Sequence, residues 1–349
     1  MKSSPTEAVI VGKSDLDTPA SVRDLSRLGT LADGIGGFWT VGVLIVIIIA
    51  LGIANSNFLS QAGWLATSVY ATEVLVIALG QTLVVITAGI DLSLAGLLGF
   101  AAMSSAWVMR AAMSAHWQVL PTMLLGAVVV VLVGTGVGVV NGFLIAKLKL
   151  APFIVTLGML GIVTGGTLLL NGGREIVEIP NQWSVLGNTV YGGWLPFPVM
   201  VAAALCIITA VMLSQTRFGR HIYAIGSNLE AARRTGINVD RTLISVYGLA
   251  GLSAGCAGLL VMSRFGIAHP SFGANDLLPS IAAVVIGGAS LFGGRGTVLG
   301  TIVGTAIISV LVTGLVAANV QPYWQSVAVG VIIITAVYID QFRLTLRQR

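Results

Sequence analysis

Apolar runs long enough to cross a bilayer follow one another along almost the whole chain, with short polar breaks between them. They cover approximately 38–54, 65–89, 92–111, 119–146, 152–170, 196–214, 243–263, 277–289, 298–318 and 322–339. A bilayer core takes roughly 20 apolar residues as a helix, and in hydrocarbon only helices and closed barrels satisfy their own backbone. Runs of this length predict an all-α polytopic membrane protein of about ten transmembrane helices. The run at 277–289 is short and is expected to be re-entrant or to pair with the Gly-rich turn that follows it. Composition agrees, since 56% of the residues are hydrophobic and 9% charged, whereas soluble domains carry roughly 25% charged residues.

The basic residues set the orientation, because cytoplasmic loops retain Lys and Arg. Of the 18 Lys and Arg, all but Arg110, Arg174 and Arg264 fall on the segments that share a side with the N-terminus. This predicts an even number of spans with both termini in the cytoplasm. The net charge of +5 is then a topological signal and not a nucleic-acid footprint. Residues 1–36 are polar, have no early apolar run, and read as a floppy cytoplasmic tail and not a cleavable leader. Residues 37–341 form one transmembrane domain with a long inner loop at 215–242, and 342–349 form a basic cytoplasmic tail. The longest outer segment, 171–195, suits a surface lid or docking ledge. Cys206 and Cys256 lie inside apolar spans, where small core residues are expected.

Glycines at 134, 138 and 142, at 296, 300 and 304, and at 248, 251, 255 and 258 each line one face of a helix and let backbones approach closely. There is also an internal echo. Val84–Gly89 followed by Leu92–Gly96 resembles Val284–Gly288 followed by Ser290–Gly294. Five spans per half would make the halves run in opposite directions, so an inverted repeat is possible.

Most of the chemistry in so oily a chain is confined to a few places. The segment Thr216–Arg241 holds Arg217, Arg220, Arg233, Arg234 and Arg241 with Glu230 and Asp240. Ser227-Asn228-Leu229-Glu230 fits a capping box, Arg233 and Arg234 complement a helix C-terminus, Gly236 is a left-handed stop, and Ile237 can fold back. The result is a helix of about two turns, Asn228 to Thr235, including Ala231 and Ala232. So short a helix needs a surface, its own protein's or a partner's.

Thr87-Ala88-Gly89-Ile90-Asp91-Leu92-Ser93 is a second signal. Gly89 can end one helix, and Asp91 or Ser93 can cap the next. Asp91 either meets substrate at a helix break or only caps a helix at the inner rim. Glu73 lies well inside the second span and must face a wet pathway, find a partner or be protonated. Gln81, Asn141 and Thr156 are weaker pathway candidates, because neutral polar residues often join helices. Arg264 and Asp276 flank one outer loop and could pair. Gly12-Lys13-Ser14 mimics the end of a phosphate loop, but position 7 is Glu and the stretch lies in the polar tail. His116, His221 and His269 are scattered. No metal ligands and no catalytic grouping are expected, nor any cofactor bound by this chain.

Three motifs in this order carry a family resemblance: Ala88–Ser93; Thr216–Arg220 through Gly236-Ile237-Asn238; and Ile281–Gly288 through Ser290–Gly296. Over about residues 38–340 the chain resembles the membrane permeases of bacterial ABC importers for monosaccharides, the ribose, xylose, arabinose and galactofuranose group. Branched-chain amino acid permeases share the second motif but usually lack the Gly-Ile-Asp-Leu-Ser stretch. Two departures stand. Asp276-Leu277-Leu278-Pro279-Ser280 replaces a Glu-Leu-Asp run, and Glu73 replaces an Asn, so no particular sugar is implied.

The resemblance implies a type II ABC importer permease architecture in the bacterial inner membrane, working as a homodimer. A separate ATPase subunit would use ATP and Mg, and an outer solute-binding protein would deliver the monosaccharide. The coupling helix, with Ser227, Asn228, Glu230, Ala231, Ala232, Arg233, Arg234 and Gly236, would sit in a groove of the ATPase. Glu73, Gln81, Asp91, Ser93, Asn141 and Thr156 are the candidates for a substrate pathway. Two rivals are a branched-chain amino acid permease and an ion-coupled secondary carrier using Glu73 and Asp91.

Overall fold

The computed structural model describes residues 40–348, so the 1–36 tail and the Gly12-Lys13-Ser14 stretch lie outside the described residues. Within the described residues each apolar run holds a helix. Among the described residues, seven helices are long and apolar enough to cross a membrane: α2 (Gln61–Ile86), α3 (Ser93–Ser114), α4 (Val119–Ala146), α5 (Pro152–Leu170), α7 (Phe197–Gln215), α10 (Val239–Phe265) and α12 (Val298–Ala317). Three further apolar stretches are shorter: α1 (Thr40–Ala54), the ten-residue α11 (Leu277–Ile286), and Tyr323–Thr335 within α13 (Pro322–Gln348). α13 continues as helix to Gln348, within the segment read as a basic tail.

α2, α3 and α10 form the buried centre. Val74, Val76, Ile77, Leu97, Leu98, Ala250 and Ala254 have no exposed surface there. α4 packs on α10, α5 on α3, α7 and α12 on α2, and α13 on α11.

Missing side chains set the closest approaches. A Cβ on Gly134 or Gly138 would strike the α10 backbone at Gly251 or Tyr247, and one on Gly142 would strike Ile244. Gly300 and Gly304 of α12 likewise lie against the carbonyls of Gly287 and Ala283 at the end of α11. The predicted glycine faces of α4 and α10 therefore close those two helices on each other, and Gly300 and Gly304 close α12 on α11. Gly296 sits in the preceding turn and not on α12. Hydroxyl contacts add polar joints between helices: Thr82 with Thr301 at 2.7 Å, Thr67 with Thr313 at 2.9 Å, and Ser105 donating to the Gly126 carbonyl at 2.9 Å.

Side-chain contacts sort the helix ends onto two faces. On one, Lys147 after α4 pairs with Asp240 of α10 at 2.8 Å, and the α2 end meets the turn before α12, with Gly294 N–H donating to the Ile86 carbonyl at 2.8 Å. On the other, Asn55 donates to the Ala317 carbonyl at 2.7 Å, Trp64 to Trp194 at 2.9 Å, and Arg110 to Asn171 at 3.0 Å. Arg110, Arg174 and Arg264 belong to this second face, while Lys147, Lys149, Arg217, Arg220, Arg233, Arg234, Arg241 and Arg295 belong to the first. The echoing turns after Val84 and Val284 touch each other, so they share a face. An inverted repeat needs its equivalent turns on opposite faces, and this echo does not provide them.

The segment 171–195 has structure of its own. It contains α6 (Asn181–Asn188) and the start of a two-strand hairpin, β1 (Val190–Tyr191) with β2 (Leu195–Pro196). It is fixed to the end of α10: Ile176 bridges to Ala268, Asn188 donates to the Arg264 carbonyl at 2.8 Å, and Gly187 has no room for a side chain against Ser263. The long loop at 215–242 holds two helices, α8 (Arg217–Ser227) and α9 (Leu229–Arg234).

Candidate functional site

α8 follows from a helical apolar stripe at Phe218, Ile222 and Ile225, with the Thr216 hydroxyl capping its start by accepting from Gly219 N–H at 3.1 Å. The stripe and the cap were both readable in the sequence, yet only the following helix was predicted. α9 is where that prediction put it, but the cap is one residue later. The Asn228 side chain, not Ser227, accepts from Ala231 N–H at 2.9 Å. Ser227 is the last residue of α8, so its backbone is still helical and it cannot act as an N-cap, which requires an extended conformation. Glu230 falls in the first turn and Arg233 and Arg234 in the last. Gly236 takes φ +84° as the left-handed stop, and Ile237 N–H returns to the Ala232 carbonyl at 3.2 Å.

Ala232 is buried with Ile225 and Val239 under Ile237 and Leu243. Glu230, Ala231, Arg233 and Arg234 point to solvent, and the Glu230–Arg233 contact at 3.8 Å is exposed. Such pairs add little stability. α9 thus rests on one apolar side and presents a charged edge.

The second motif lies behind this surface. α2 ends in a Schellman turn, with Gly89 N–H to the Val84 carbonyl at 3.1 Å and Ala88 N–H to Val85 at 2.9 Å. Ala88, not Gly89, takes the left-handed conformation, with φ +61°. Gly89 is needed for another reason, because a Cβ there would come within 2.6 Å of the Tyr247 hydroxyl.

Asp91 then caps α3. Its Oδ1 accepts from Ser93 N–H at 2.9 Å and from Ser93 Oγ at 2.6 Å. Asn141 Nδ2 of α4 donates to Ser93 Oγ at 2.9 Å, and Thr156 Oγ1 of α5 shares its hydrogen between the Pro152 carbonyl of its own helix at 2.9 Å and the Ile90 carbonyl at 3.2 Å. Asp91, Ser93, Asn141 and Thr156 have no exposed surface. Four of the six pathway candidates therefore form one closed cluster that ties α3, α4 and α5 to the end of α2. Asp91 Oδ2, Asn141 Oδ1 and the Tyr247 hydroxyl make no hydrogen bond in it.

Glu73 stands apart, toward the other face. Its Oε1 accepts from Arg264 Nη1 of α10 at 2.7 Å, with Arg264 also over the Phe265 ring at 5.0 Å. Arg264 pairs with Glu73 and not with Asp276, because the end of α10 lies directly against α2. Gln81 is buried between the two places, and its Nε2 has no partner.

Neither of two cavities touches these six residues. One, of about 100 Å³, lies between α2, α7 and α10; the other, of about 230 Å³, is lined by Gly96, Leu160, Thr164, Thr167, Phe272 and Gly273 among others.

The third motif closes the arrangement. After α11, Gly288, Gly293, Gly294 and Gly296 all take positive φ, and the turn they form lies on the ends of α2 and α8. Tyr223 of α8 donates to the Gly296 carbonyl at 2.7 Å. Burial raises the phenol above its ordinary pKa, which keeps it a donor. The three motifs, far apart in sequence, meet at one place on the basic face.

Residues 63–337 match the model of the family described as "Branched-chain amino acid transport system / permease component", and the chain belongs to that family. It is a multi-pass membrane protein of the permease class. Among its curated relatives, it is 36% identical to the fructose import permease of Rhizobium meliloti over 312 residues, 86% of this chain and 84% of that protein. It is 35% identical to the galactose/methyl galactoside import permease of Haemophilus influenzae, covering 86% and 94%, and 37% identical to the ribose import permease of Bacillus subtilis, covering 85% and 90%. No solved structure matches the chain. The resemblance to monosaccharide permeases read from the motifs agrees with these relatives.

Proposed function

We propose that this chain is the transmembrane subunit of an ATP-driven importer for a monosaccharide, with ten spans and both termini in the cytoplasm of a bacterial inner membrane. One observation carries the reading. A short helix, capped at both ends, holds a charged edge to solvent on the basic face, in a chain whose relatives are import permeases for sugars. Without a nucleotide motif of its own, the subunit draws on a separate ATPase for ATP and Mg. Glu230, Ala231, Arg233 and Arg234 enter the ATPase groove, with Asn228 and Gly236 fixing the helix ends and Ala232 fixing its base. A solute-binding protein delivers the sugar to the opposite face, and a second copy of the chain completes the translocating unit.

The six polar residues serve as the frame of the route. Asp91, Ser93, Asn141 and Thr156 fix the inner ends of four helices, Glu73 fixes α2 to α10, and Gln81 lies between. Mutual burial and bonding support a frame over direct lining.

The test is reconstitution in proteoliposomes with the ATPase and the binding protein. Loaded binding protein should stimulate both ATP turnover and uptake. Uptake that needs no ATPase and follows a pH gradient would mean an ion-coupled carrier. Glu230→Lys with Arg233→Glu should abolish ATPase co-purification while membrane insertion persists. The family description keeps branched-chain amino acids as the second reading, and a thermal-shift screen of the binding protein against sugars and amino acids separates the two.

A further inference from the structure

We propose that the Gly293–Gly296 turn is a rigid relay, which passes displacement of the coupling helix to the α2–α3 break, and that Tyr223 and Gly226 are its positioning residues. The inference rests on the coupling role proposed for α9, and it adds the route by which that helix would act on the membrane helices.

α9 has a narrow footing. Its only buried side chain is Ala232, set on Ile225 of α8 and Val239 of α10. α9 packs more extensively on α8 than on α10, so its motion passes first into α8. The start of α8 turns tightly out of α7, and a Cβ on Gly219 would fall on the Leu213 backbone. Its far end is held more closely still. A Cβ on Gly226 would fall on the Ile86 carbonyl oxygen and lie 2.6 Å from Gly294 N. Gly294 in turn donates its N–H to that same Ile86 carbonyl at 2.8 Å. A Cβ on Gly293 would lie 2.7 Å from the Gly226 carbonyl oxygen and 2.8 Å from the Ala88 side chain.

At Ile86, Gly226 and Gly294 three backbones thus meet directly. Side chains can absorb a displacement by changing rotamer, whereas backbone in direct contact can only move together or separate. The Tyr223 hydroxyl fixes the fourth point, at the Gly296 carbonyl 2.7 Å away.

What lies beyond Ile86 makes the junction a relay. Four residues on, the Ile90 carbonyl holds Thr156 of α5, and Asp91 and Ser93 hold α3 and Asn141 of α4. Gly287, at the other end of the turn, lies against Gly300 of α12. A shift of α8 is therefore delivered to α2, α3, α4, α5 and α12 at their ends on the basic face. Packing alone would not require a tyrosine hydroxyl to hold a loop carbonyl beside three chain segments in contact.

The experiment uses the full chain, co-expressed with its ATPase and reconstituted with binding protein and radiolabelled sugar. Tyr223→Phe removes one hydroxyl, and Gly226→Ala adds one methyl group that must part α8 from Ile86. Both variants should co-purify with the ATPase and keep basal ATP turnover. Stimulation by loaded binding protein, and uptake per ATP hydrolysed, should fall about tenfold for Gly226→Ala and by a smaller factor for Tyr223→Phe, within the usual range of coupling between linked sites. Should Gly226→Ala fail to fold, Tyr223→Phe carries the test by itself.

Wild-type stimulation and uptake in Tyr223→Phe would overturn the relay. Loss of ATPase binding in that variant would overturn it too, by showing that the junction only builds the docking surface. A wild-type chain that imports without any ATPase would overturn the coupling role itself, an outcome distinct from either of these.

Discussion

Gly89 and Tyr247 share one small space, and the glycine is there for the tyrosine. Gly89→Ala should cost about 1–3 kcal/mol, as overpacked sites do, and adding Tyr247→Phe should recover most of it by removing the atom that clashes. Thermal midpoints of the purified protein in detergent check this; an uncorrected loss in the double variant would move the conflict to Val84. The Glu73–Arg264 pair offers a second measurement. Arg264 keeps 31% of its side chain in solvent, so a double-mutant cycle with Glu73→Ala and Arg264→Ala should give a coupling of about 1–2 kcal/mol, below the cost of breaking a fully buried pair. Additive losses would show that the two side chains do not depend on each other. Both sites mark what single residues could tell in advance. Sequence marked Glu73 as a carboxylate that must face a wet pathway, find a partner or be protonated; the partner lies 191 positions away, and only the crossing of α2 with α10 selects it. Gly89 looked like a helix stop because glycine is the usual left-handed residue, and the Tyr247 hydroxyl that explains it was not visible until the helices were packed.

Capping is where element-scale expectations can be checked one residue at a time. Asn228→Ala should loosen α9 by about 1 kcal/mol, while Asn228→Asp keeps the acceptor and the helix. Amide exchange over 230–234 should quicken by about fivefold in the first variant and stay near wild type in the second and in Ser227→Ala. An equal effect from Ser227→Ala would restore the capping box. α9 was legible because its start and stop chemistry is local. The boundary slipped by one because Ser and Asn are both good caps, and only the length of α8 decides between them. α8 itself was missed although Phe218, Ile222 and Ile225 keep helical spacing, since its arginines drew attention to charge and away from the stripe. Element ends at Ile86 and Gly287 were readable from Thr-Ala-Gly and Gly-Gly; that they meet was not, because contact between turns depends on how whole helices pack.

The bundle as a whole depends on glycine at some positions and is indifferent to it at others. Gly138→Leu should prevent α4 from closing on Tyr247 and Gly248, so that little monodisperse protein is recovered. Gly161→Leu on α5, where nothing lies within 4 Å, should leave recovery and thermal midpoint unchanged. Size-exclusion profiles of the two variants make the comparison, and equal losses would mean that the α4–α10 seam is not what holds the bundle. Helical class and the apolar runs were legible because hydrocarbon permits so few backbone solutions. The packing order was not, because lipid and neighbouring helix look alike to a run of Val and Leu. That order has a consequence for how the protein is made. α4 emerges from the ribosome well before α10, the helix that its glycine face needs, and so must wait in the bilayer without its partner. α4 has a higher mean hydropathy than α3, which allows it to remain there before α10 is made. The less apolar α3 lies between α2, α4, α5 and α10, so its stable place depends on neighbours on both sides of it in the chain. Insertion of this protein is accordingly a sequence of provisional placements, fixed only when the tenth helix arrives and closes the seam.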